Sequence, residues 1–359
     1  MEFKLISAAA VFCICFLLSF SGLKLALSAL SLPEASSWRK EPFWPLFSIA
    51  AIAFLAVILW LPLPADNIYE LSVTEALSAL AASAAVYFAS FLPGRGKKYS
   101  FLAIPAAAIL LAYFLPPEFL LFDGNIPLWA DRLLLVLFWS LFSGCLKYLN
   151  GLDGLVSLQL GISAGGITIL AFLGAAPFLL GIFGIILTAA AAALQIFNAY
   201  PARLSLNTAG CRALGFLLGW LIIRSSAEGA GSCSLCFAMF FIYEIAFAAV
   251  KKISLKPENQ NLLMNTAYYQ ANLTGLSPAD ITRAVARLMF ILLILGCFQT
   301  YAPNAYSLPL LCLLVAVWFD NRLRHWQQGT PTLAEINKDM LGDLKDNLND
   351  LKNNLRKDD

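Results

Sequence analysis

Residues 155–173 read LVSLQLGISAGGITILAFL, and after a three-residue break residues 177–197 read PFLLGIFGIILTAAAAALQIF. Neither stretch contains a charged side chain, and each is close to the roughly 20 helical residues that cross the hydrocarbon core of a bilayer. Backbone amides in lipid must be satisfied within the segment, so runs of this length predict transmembrane helices. The runs also lack the polar and apolar alternation that marks the strands of a membrane barrel.

The remainder of the chain has the same apolar character. Of its 359 residues, 60% are hydrophobic and only 13% are charged, whereas a soluble domain carries about 25% charged residues. Composition and run length therefore predict an all-α, polytopic transmembrane helical bundle with about ten or eleven spans. The predicted spans are Phe3–Leu30, Leu46–Leu63, Ser72–Leu92, Phe101–Leu115, Leu128–Leu146, Leu155–Leu173, Pro177–Phe197, Ala213–Ile223, Cys233–Val250, Val285–Tyr301 and Leu308–Phe319.

Two of these spans have unusual lengths. Phe3–Leu30 is too long for the core of a signal peptide and no small-residue cleavage site follows it, so we expect a mature helix. Ala213–Ile223 is short and follows directly on Arg212, which makes it the weakest transmembrane pattern of the set.

Basic residues are concentrated in alternate loops, and this sidedness predicts the orientation. Short cytoplasmic loops are enriched in lysine and arginine. The intervening loops are acidic or neutral, and only Arg132 and Arg224 depart from the pattern. The basic loops contain Arg39 and Lys40, Arg95, Lys97 and Lys98, Lys147, Arg203 and Arg212, and Lys251, Lys252 and Lys256. We therefore predict an N-terminus outside and a C-terminus in the cytoplasm.

The last part of the chain differs in kind from the rest. We predict two domains, a transmembrane domain over residues 1–321 and a polar cytoplasmic tail over residues 322–359. Leucines step along the tail by three and four residues, the a/d spacing of a coiled coil. They are Leu341, Leu344, Leu348, Leu351 and Leu355. Only about two heptads are present, so a surface helix and a helix docked on a partner are equally open.

Most of the eight cysteines lie within spans, where cysteine behaves as a small apolar residue. Cys233 and Cys236 form a C-x-x-C motif, which in principle serves redox chemistry or metal binding. His325 is the only histidine, and no second cysteine pair lies near the motif. We therefore interpret the motif as part of a packed helix and predict no metal site.

Two pairs of glycines four residues apart lie within predicted spans, Gly161 with Gly165 and Gly215 with Gly219. Small residues at this spacing allow transmembrane helices to approach closely. We interpret both pairs as positions of helix packing.

The polar loops carry the functional signal, because polar residues beside a membrane core are expensive to keep. Residues 147–155, KYLNGLDGL, resemble the N-x-x-D-G-x-D-G-L loop of the polyprenyl-phosphate N-acetylhexosamine-1-phosphate transferases. Further stretches resemble other motifs of that family, in the family's order. They are residues 31–45 (SLPEASSWRKEPFWP), 197–216 (FNAYPARLSLNTAGCRALGF) and 268–277 (YYQANLTGLS). The resemblance covers roughly residues 3–320 and implies a bacterial inner-membrane location.

In active members of this family, a polyprenyl-phosphate oxygen attacks the β-phosphate of a UDP-sugar and UMP leaves. Acidic residues at the cytoplasmic ends of the spans hold the Mg²⁺ that bridges the phosphate oxygens. Most of these ligands are replaced here, and Asp153 is the only family aspartate that survives. The altered family positions are Ser31, Leu92 and Pro93, Lys147, Asn150, Thr208, Met264 and Ala267.

This loss of metal ligands on a retained scaffold predicts a catalytically inactive relative, a pseudoenzyme. It would act as a binding or partner subunit linked to envelope glycan synthesis, with no cofactor. The alternative is an active but divergent transferase that uses Mg²⁺, so whether the protein is an enzyme stays open. A transporter has little support, because no internal repeat is evident and the spans carry few ionisable residues.

The resemblance also implies the site residues. Asp153 is the candidate catalytic residue, and the candidate lipid-phosphate ligands are Lys147, Asn150, Asn198, Arg203 and Arg95. Lys147 is either a snorkelling residue at a helix end or a cation standing where Mg²⁺ would sit. Asp153 would then be its ion-pair partner, or a cap for the span that starts at Leu155.

The expected partners follow from the same interpretation. They are a membrane lipid, with polyprenyl phosphate as the candidate, and a second copy of the chain or another membrane protein. Protein contacts would run through the membrane helices or the tail, and no nucleic acid is expected.

Overall fold

The computed structural model describes residues 2–30, 46–47, 50–53, 73–91, 96–115, 126–254, 262–301 and 307–326. Within these ranges the regular structure is helical and contains no strand, which confirms the predicted all-α class. The α-helices are α1 (Glu2–Leu30), α2 (Val73–Phe91), α3 (Gly96–Ala112), α4 (Leu128–Cys145), α5 (Leu155–Phe172), α6 (Phe178–Asn198), α7 (Thr208–Ser225), α8 (Gly231–Ser254), α9 (Ala267–Leu273), α10 (Pro278–Phe298) and α11 (Ser307–Arg324). A 3₁₀ helix, Leu146–Gly151, joins α4 to α5.

Six segments in the described part of the chain are long and apolar enough to cross a membrane, and the chain is a multi-pass membrane protein. They are Ala8–Leu25, Leu128–Gly151, Leu155–Phe172, Phe178–Asn198, Gly231–Ile253 and Pro278–Tyr301. Most of the predicted span Leu46–Leu63 lies outside the described residues. The described parts of the other predicted spans are helical, but these helices are not both long enough and apolar enough to cross a membrane by themselves.

Several helices extend beyond the predicted spans, and caps at their first turns explain two of these extensions. Helix α7 begins at Thr208, because the side chain of Asn207 caps it by accepting the backbone N–H of Gly210 at 2.8 Å. Helix α10 begins at Pro278 rather than at Val285. Ser277 caps its first turn, and proline suits the first helical position because its missing N–H has no partner to lose there.

Helices α5 and α6 form the centre of the bundle. In α6, 78% of the residues of the spanning segment are buried, against 17% in α1. Helix α5 packs against α6, α7, α8 and α10. The α5–α6 contact requires a glycine, since a Cβ on Gly184 would lie 2.7 Å from the backbone oxygen of Ala164.

The predicted glycine pairs differ in their surroundings. A Cβ on Gly215 would lie 3.1 Å from the backbone oxygen of Ser143, and one on Gly219 would lie 2.8 Å from the ring of Trp139. These two glycines therefore permit close packing of α4 and α7, as predicted. A Cβ on Gly161 would make an ordinary contact of 3.5 Å with Ala191, so the packing of α5 against α6 does not require a glycine at this position.

One end of the bundle, which we call the loop face, is built from residues 146–154, 199–207 and 262–277. The side chain of Asn150 donates to the backbone oxygen of Leu206 at 2.5 Å, and the hydroxyl of Tyr268 donates to the oxygen of Tyr148 at 2.9 Å. Helices α7 and α8 connect at the opposite face, where Gly229 takes a φ of 86°. The three loops therefore share one surface.

The two arginines that depart from the loop pattern are accounted for by acidic neighbours. Arg224 pairs with Glu75 of α2 at 3.4 Å, and both side chains are almost fully buried. Arg132 interacts electrostatically with the adjacent, buried Asp131. An arginine that is paired with an acidic residue inside the bundle does not contribute to the difference in charge between the loops that predicts the orientation.

Candidate functional site

The buried amide of Asn198, at the end of α6, organises the central loop. Its oxygen accepts the backbone N–H of Gly154 at 3.1 Å and the hydroxyl of Ser157 at 3.1 Å, and its nitrogen donates to the oxygen of Leu204 at 2.9 Å. Gly154 has a φ of 85°, and a Cβ there would lie 2.9 Å from the side-chain nitrogen of Gln195. Asn198 and Asn150 therefore act on backbone groups of the loop face.

Asp153 is held in the same network. One of its carboxylate oxygens accepts the backbone N–H of Ala202 at 3.0 Å, and its backbone oxygen accepts the hydroxyl of Thr282 at 2.9 Å. Neither expected contact of this side chain is present. Among the described residues it forms no ion pair with Lys147, and Gly154 occupies the N-cap of α5 without a side-chain bond. The left-handed Gly154, with φ 85°, occupies the N-cap position that a capping side chain would take.

Lys147 lies in the 3₁₀ helix with its ammonium 4.8 Å from the centre of the Tyr148 ring. It is within electrostatic range of Arg212 on α7 and Lys252 on α8. We call Lys147, Arg212 and Lys252 the basic cluster. The like charges of the cluster repel one another, and an anion placed among them would relieve that repulsion.

Other candidate residues are more scattered. Arg203 is exposed in the loop that follows α6, and Thr208, which stands at a family aspartate position, is the exposed first residue of α7. Arg95 lies outside the described residues, as do Leu92, Pro93 and the whole of residues 31–45. The structure thus brings Asn150, Asp153 and Asn198 into one network and places Lys147 in a separate cluster of cations.

The chemistry available at the loop face follows from its donor set. In residues 146–154, 199–207 and 262–277, Asp153 is the only carboxylate. Across the described ranges no group of three or more His, Cys, Asp or Glu residues could hold a metal ion. Mg²⁺ prefers several oxygen ligands, of which one carboxylate supplies a minority. The described loop face therefore supplies few of the oxygen ligands that Mg²⁺ prefers.

A buried ionic cluster beneath α9 was not predicted. Arg324 at the end of α11 binds Asp320 at 2.8 Å and 3.1 Å, and it lies 3.7 Å from Glu244 of α8. The same guanidinium donates to the oxygen of Asn265 and the side chain of Gln270, each at 2.9 Å. Glu244 also accepts the backbone N–H of Ala267. An acidic residue inside an apolar run, such as Glu244, is the sequence signal that identifies such a cluster.

The cysteines pack as interpreted. Cys233 and Cys236 are both buried, none of the eight cysteines is in a disulfide, and the thiol of Cys236 donates to the backbone oxygen of Ser232 at 3.2 Å.

A groove between α5, α6 and α10 was also not predicted. It contains a cavity of about 300 Å³ that is almost entirely apolar. A second cavity of about 250 Å³ continues it toward the opposite face, sharing Ile169 and Leu293 with the first. The first cavity is lined by Ser157, Leu158, Gly161, Ile162, Gly165, Ile169, Thr188, Ala191, Ala192, Gln195, Phe290 and Leu293.

No protein-family model matches the chain, and no curated protein is significantly similar to it. The family assignment made from the loop motifs therefore stays a prediction.

Proposed function

We propose that this protein is a catalytically inactive relative of the polyprenyl-phosphate N-acetylhexosamine-1-phosphate transferases. It would bind the phosphate of a lipid such as polyprenyl phosphate at the basic cluster. One observation carries the proposal: the only carboxylate of the central loop, Asp153, is bonded to the backbone of Ala202, while Lys147 of the same loop lies within electrostatic range of Arg212 and Lys252.

The physical reason lies in charge. Phosphoryl transfer draws its acceleration from positioning and from neutralising the charge that develops on the transferring group. A metal does this while also aligning a second phosphate, whereas lysine and arginine side chains can bind one phosphate without aligning another. A site that offers lysine and arginine side chains in place of the family's metal-holding carboxylates therefore favours binding over transfer.

The proposal includes an orientation in the bacterial inner membrane with the loop face in the cytoplasm. Phe20, in the second half of α1, packs on Phe197 near the loop face, so α1 begins toward the opposite face. Arg324 at the end of α11 contacts Asn265 in the loop face. These contacts support an N-terminus outside and a C-terminus inside.

We propose that the protein, with lipid phosphate bound at the basic cluster, also binds a protein partner. The part of the tail that follows the end of α11 at Arg324 would dock on another membrane protein or on a second copy of the chain. Residues 327–359 lie outside the described residues, so the leucine pattern alone supports this part of the proposal.

The test separates binding from turnover. Purified protein with polyprenyl phosphate and Mg²⁺ should exchange no labelled UMP into UDP-N-acetylglucosamine or UDP-N-acetylmuramoyl-pentapeptide. Binding of polyprenyl phosphate, measured against the phosphate-free alcohol, should weaken about tenfold in Lys147→Gln. Lys24→Gln, an exposed lysine on α1, is the control.

Two results would contradict the proposal. Mg²⁺-dependent turnover that disappears in Asp153→Asn would establish the alternative, an active transferase in which Asp153 and the substrate phosphates hold the metal. Equal binding of the phosphate and the alcohol would refute the basic cluster as the phosphate site.

A further inference from the structure

The groove between α5, α6 and α10 has the form of a site for a lipid chain. Its floor on α5 contains two glycines, Gly161 and Gly165, and its walls come from residues such as Ala192 on α6 and Leu293 on α10. Glycine and alanine leave the space that a larger side chain would fill. A hydrocarbon chain from the bilayer can occupy such an apolar space without losing any hydrogen bond.

The depth of the first cavity matches one leaflet. Its ends on α5, Ser157 and Ile169, are separated by about 18 Å of helix at 1.5 Å per residue. Half of the hydrocarbon core measures about 15 Å. Two of the three polar lining residues, Ser157 and Gln195, lie at the loop-face end, where the headgroup of a lipid in that leaflet would be, and the hydroxyl of the third, Thr188, is bonded to the backbone of Gly184.

A free cation lies at the same end. Helices α5 and α10 run in parallel, because Thr282 bonds Asp153 at their starts and Leu293 packs against Gly166 further along. Arg287 is therefore level with the first turns of α5. It lies on the same face of α10 as Phe290, which lines the cavity one turn further in.

Arg287 is exposed and has no hydrogen-bond or ion-pair partner among the residues that the structure describes. Arg283, one turn earlier, is already paired with Asp280 at 2.8 Å. Arginine buries its aliphatic stem along apolar surface while the guanidinium stays at the polar boundary, where it can bind a phosphate.

The groove is separate from the basic cluster. All residues that line the first cavity belong to α5, α6 and α10, whereas Lys147, Arg212 and Lys252 lie on the 3₁₀ helix, α7 and α8. The two sets share no residue, so we treat the occupant of the groove as a second ligand beside a lipid phosphate at the basic cluster.

We propose that the groove binds one acyl chain of an anionic phospholipid from the loop-face leaflet, and that Arg287 binds its phosphate. Charge complementarity determines the choice of occupant, because Arg287 at the mouth favours a lipid with net negative charge over a zwitterionic one. This inference does not depend on the proposed function.

Native mass spectrometry of the full-length protein in detergent tests the proposal. The protein is titrated with phosphatidylglycerol and with phosphatidylcholine of the same acyl chains. We expect about tenfold tighter binding of phosphatidylglycerol. In Arg287→Gln this preference should fall below twofold, whereas Arg283→Gln should keep it, because Arg283 is already neutralised by Asp280.

A second variant tests the chain site independently of charge. Ala192→Phe places a ring in the cavity and should remove the high-affinity adduct of either lipid, with an unchanged melting temperature showing that the bundle is intact. If wild type binds both lipids equally, or Arg287→Gln keeps the preference, the assignment of Arg287 is wrong. If polyprenyl phosphate displaces phosphatidylglycerol and shows the same dependence on Arg287, the assignment of an anionic phospholipid as the occupant of the groove is wrong.

Discussion

The carboxylate of Asp153 accepts the backbone N–H of Ala202 at 3.0 Å, although the two residues are separated by the whole α5–α6 hairpin. The contact ties the central loop to the loop that follows α6. Asn198 makes a parallel connection, from Gly154 to Leu204. The family-like motifs of this chain thus form a structural junction, whatever ligand they bind.

The role of Asp153 can be separated into charge and hydrogen bonding. Asp153→Asn retains an acceptor for Ala202 and should change the free energy of unfolding by less than about 0.5 kcal/mol. Asp153→Ala leaves that backbone N–H without its partner and should lose about 1–2 kcal/mol. Thermal unfolding in detergent measures both. If Asn destabilises as much as Ala, the negative charge itself is structural.

Inside the bundle Arg324 forms an ion pair with Asp320 and lies 3.7 Å from the carboxylate of Glu244. Removing one partner of a buried ionic cluster leaves an uncompensated charge, so Arg324→Met should destabilise the protein by about 3–5 kcal/mol. Arg322→Met is the matched control in the same helical turn, since Arg322 is exposed and contacts only the ring of Trp318 among the interactions described. Equal melting temperatures for the two variants would contradict the prediction.

Two glycines of the α5–α6 contact should respond in opposite ways to alanine. Gly184→Ala forces a Cβ to 2.7 Å from a backbone oxygen and 2.6 Å from the hydroxyl of Thr168, so the helices must separate. Gly161→Ala makes only an ordinary contact and gains helix propensity, by up to about 1 kcal/mol. Unfolding in detergent should show a loss for the first variant and no loss for the second. A stable Gly184→Ala protein would show that this contact is looser than described.

The proposed orientation predicts which side of the membrane each face occupies. Ser205 is exposed at the loop face, and Tyr301 is exposed in the 3₁₀ turn that follows α10 at the opposite face, so cysteines are introduced as Ser205→Cys and Tyr301→Cys. In intact cells a membrane-impermeant maleimide should label position 301 and leave position 205 unlabelled until the cells are opened. The parent protein controls for labelling of native cysteines. The reverse pattern would place the loop face outside.

The tail is predicted to bind a partner rather than to support the bundle. Deleting Leu333–Asp359, which lies outside the described residues, should leave the melting temperature unchanged and weaken association with a co-purifying membrane protein or a second copy. Size-exclusion chromatography with light scattering measures both effects. Aggregation of the shortened protein would show that the tail is structural.

The sequence alone determined the class of fold, because a transmembrane helix is specified locally. Residues 155–173 and 177–197 satisfy their own backbone hydrogen bonds and match the bilayer thickness, so composition and length are sufficient to predict them. The prediction of orientation likewise used only local sequence, namely the alternation of basic and acidic loops. The bounds of α7 and α10 were predicted less well, since caps at Asn207 and Ser277 extend them.

Only the tertiary structure decided which partner each polar residue takes. Glu75 meets Arg224, Asp153 meets Ala202 rather than Lys147, and the groove beside Arg287 exists because α6 and α10 flank α5 without closing over it. Such contacts join residues far apart in the chain, and no local periodicity encodes them. They depend on how the helices pack, and that packing is set by close approaches such as the one at Gly184.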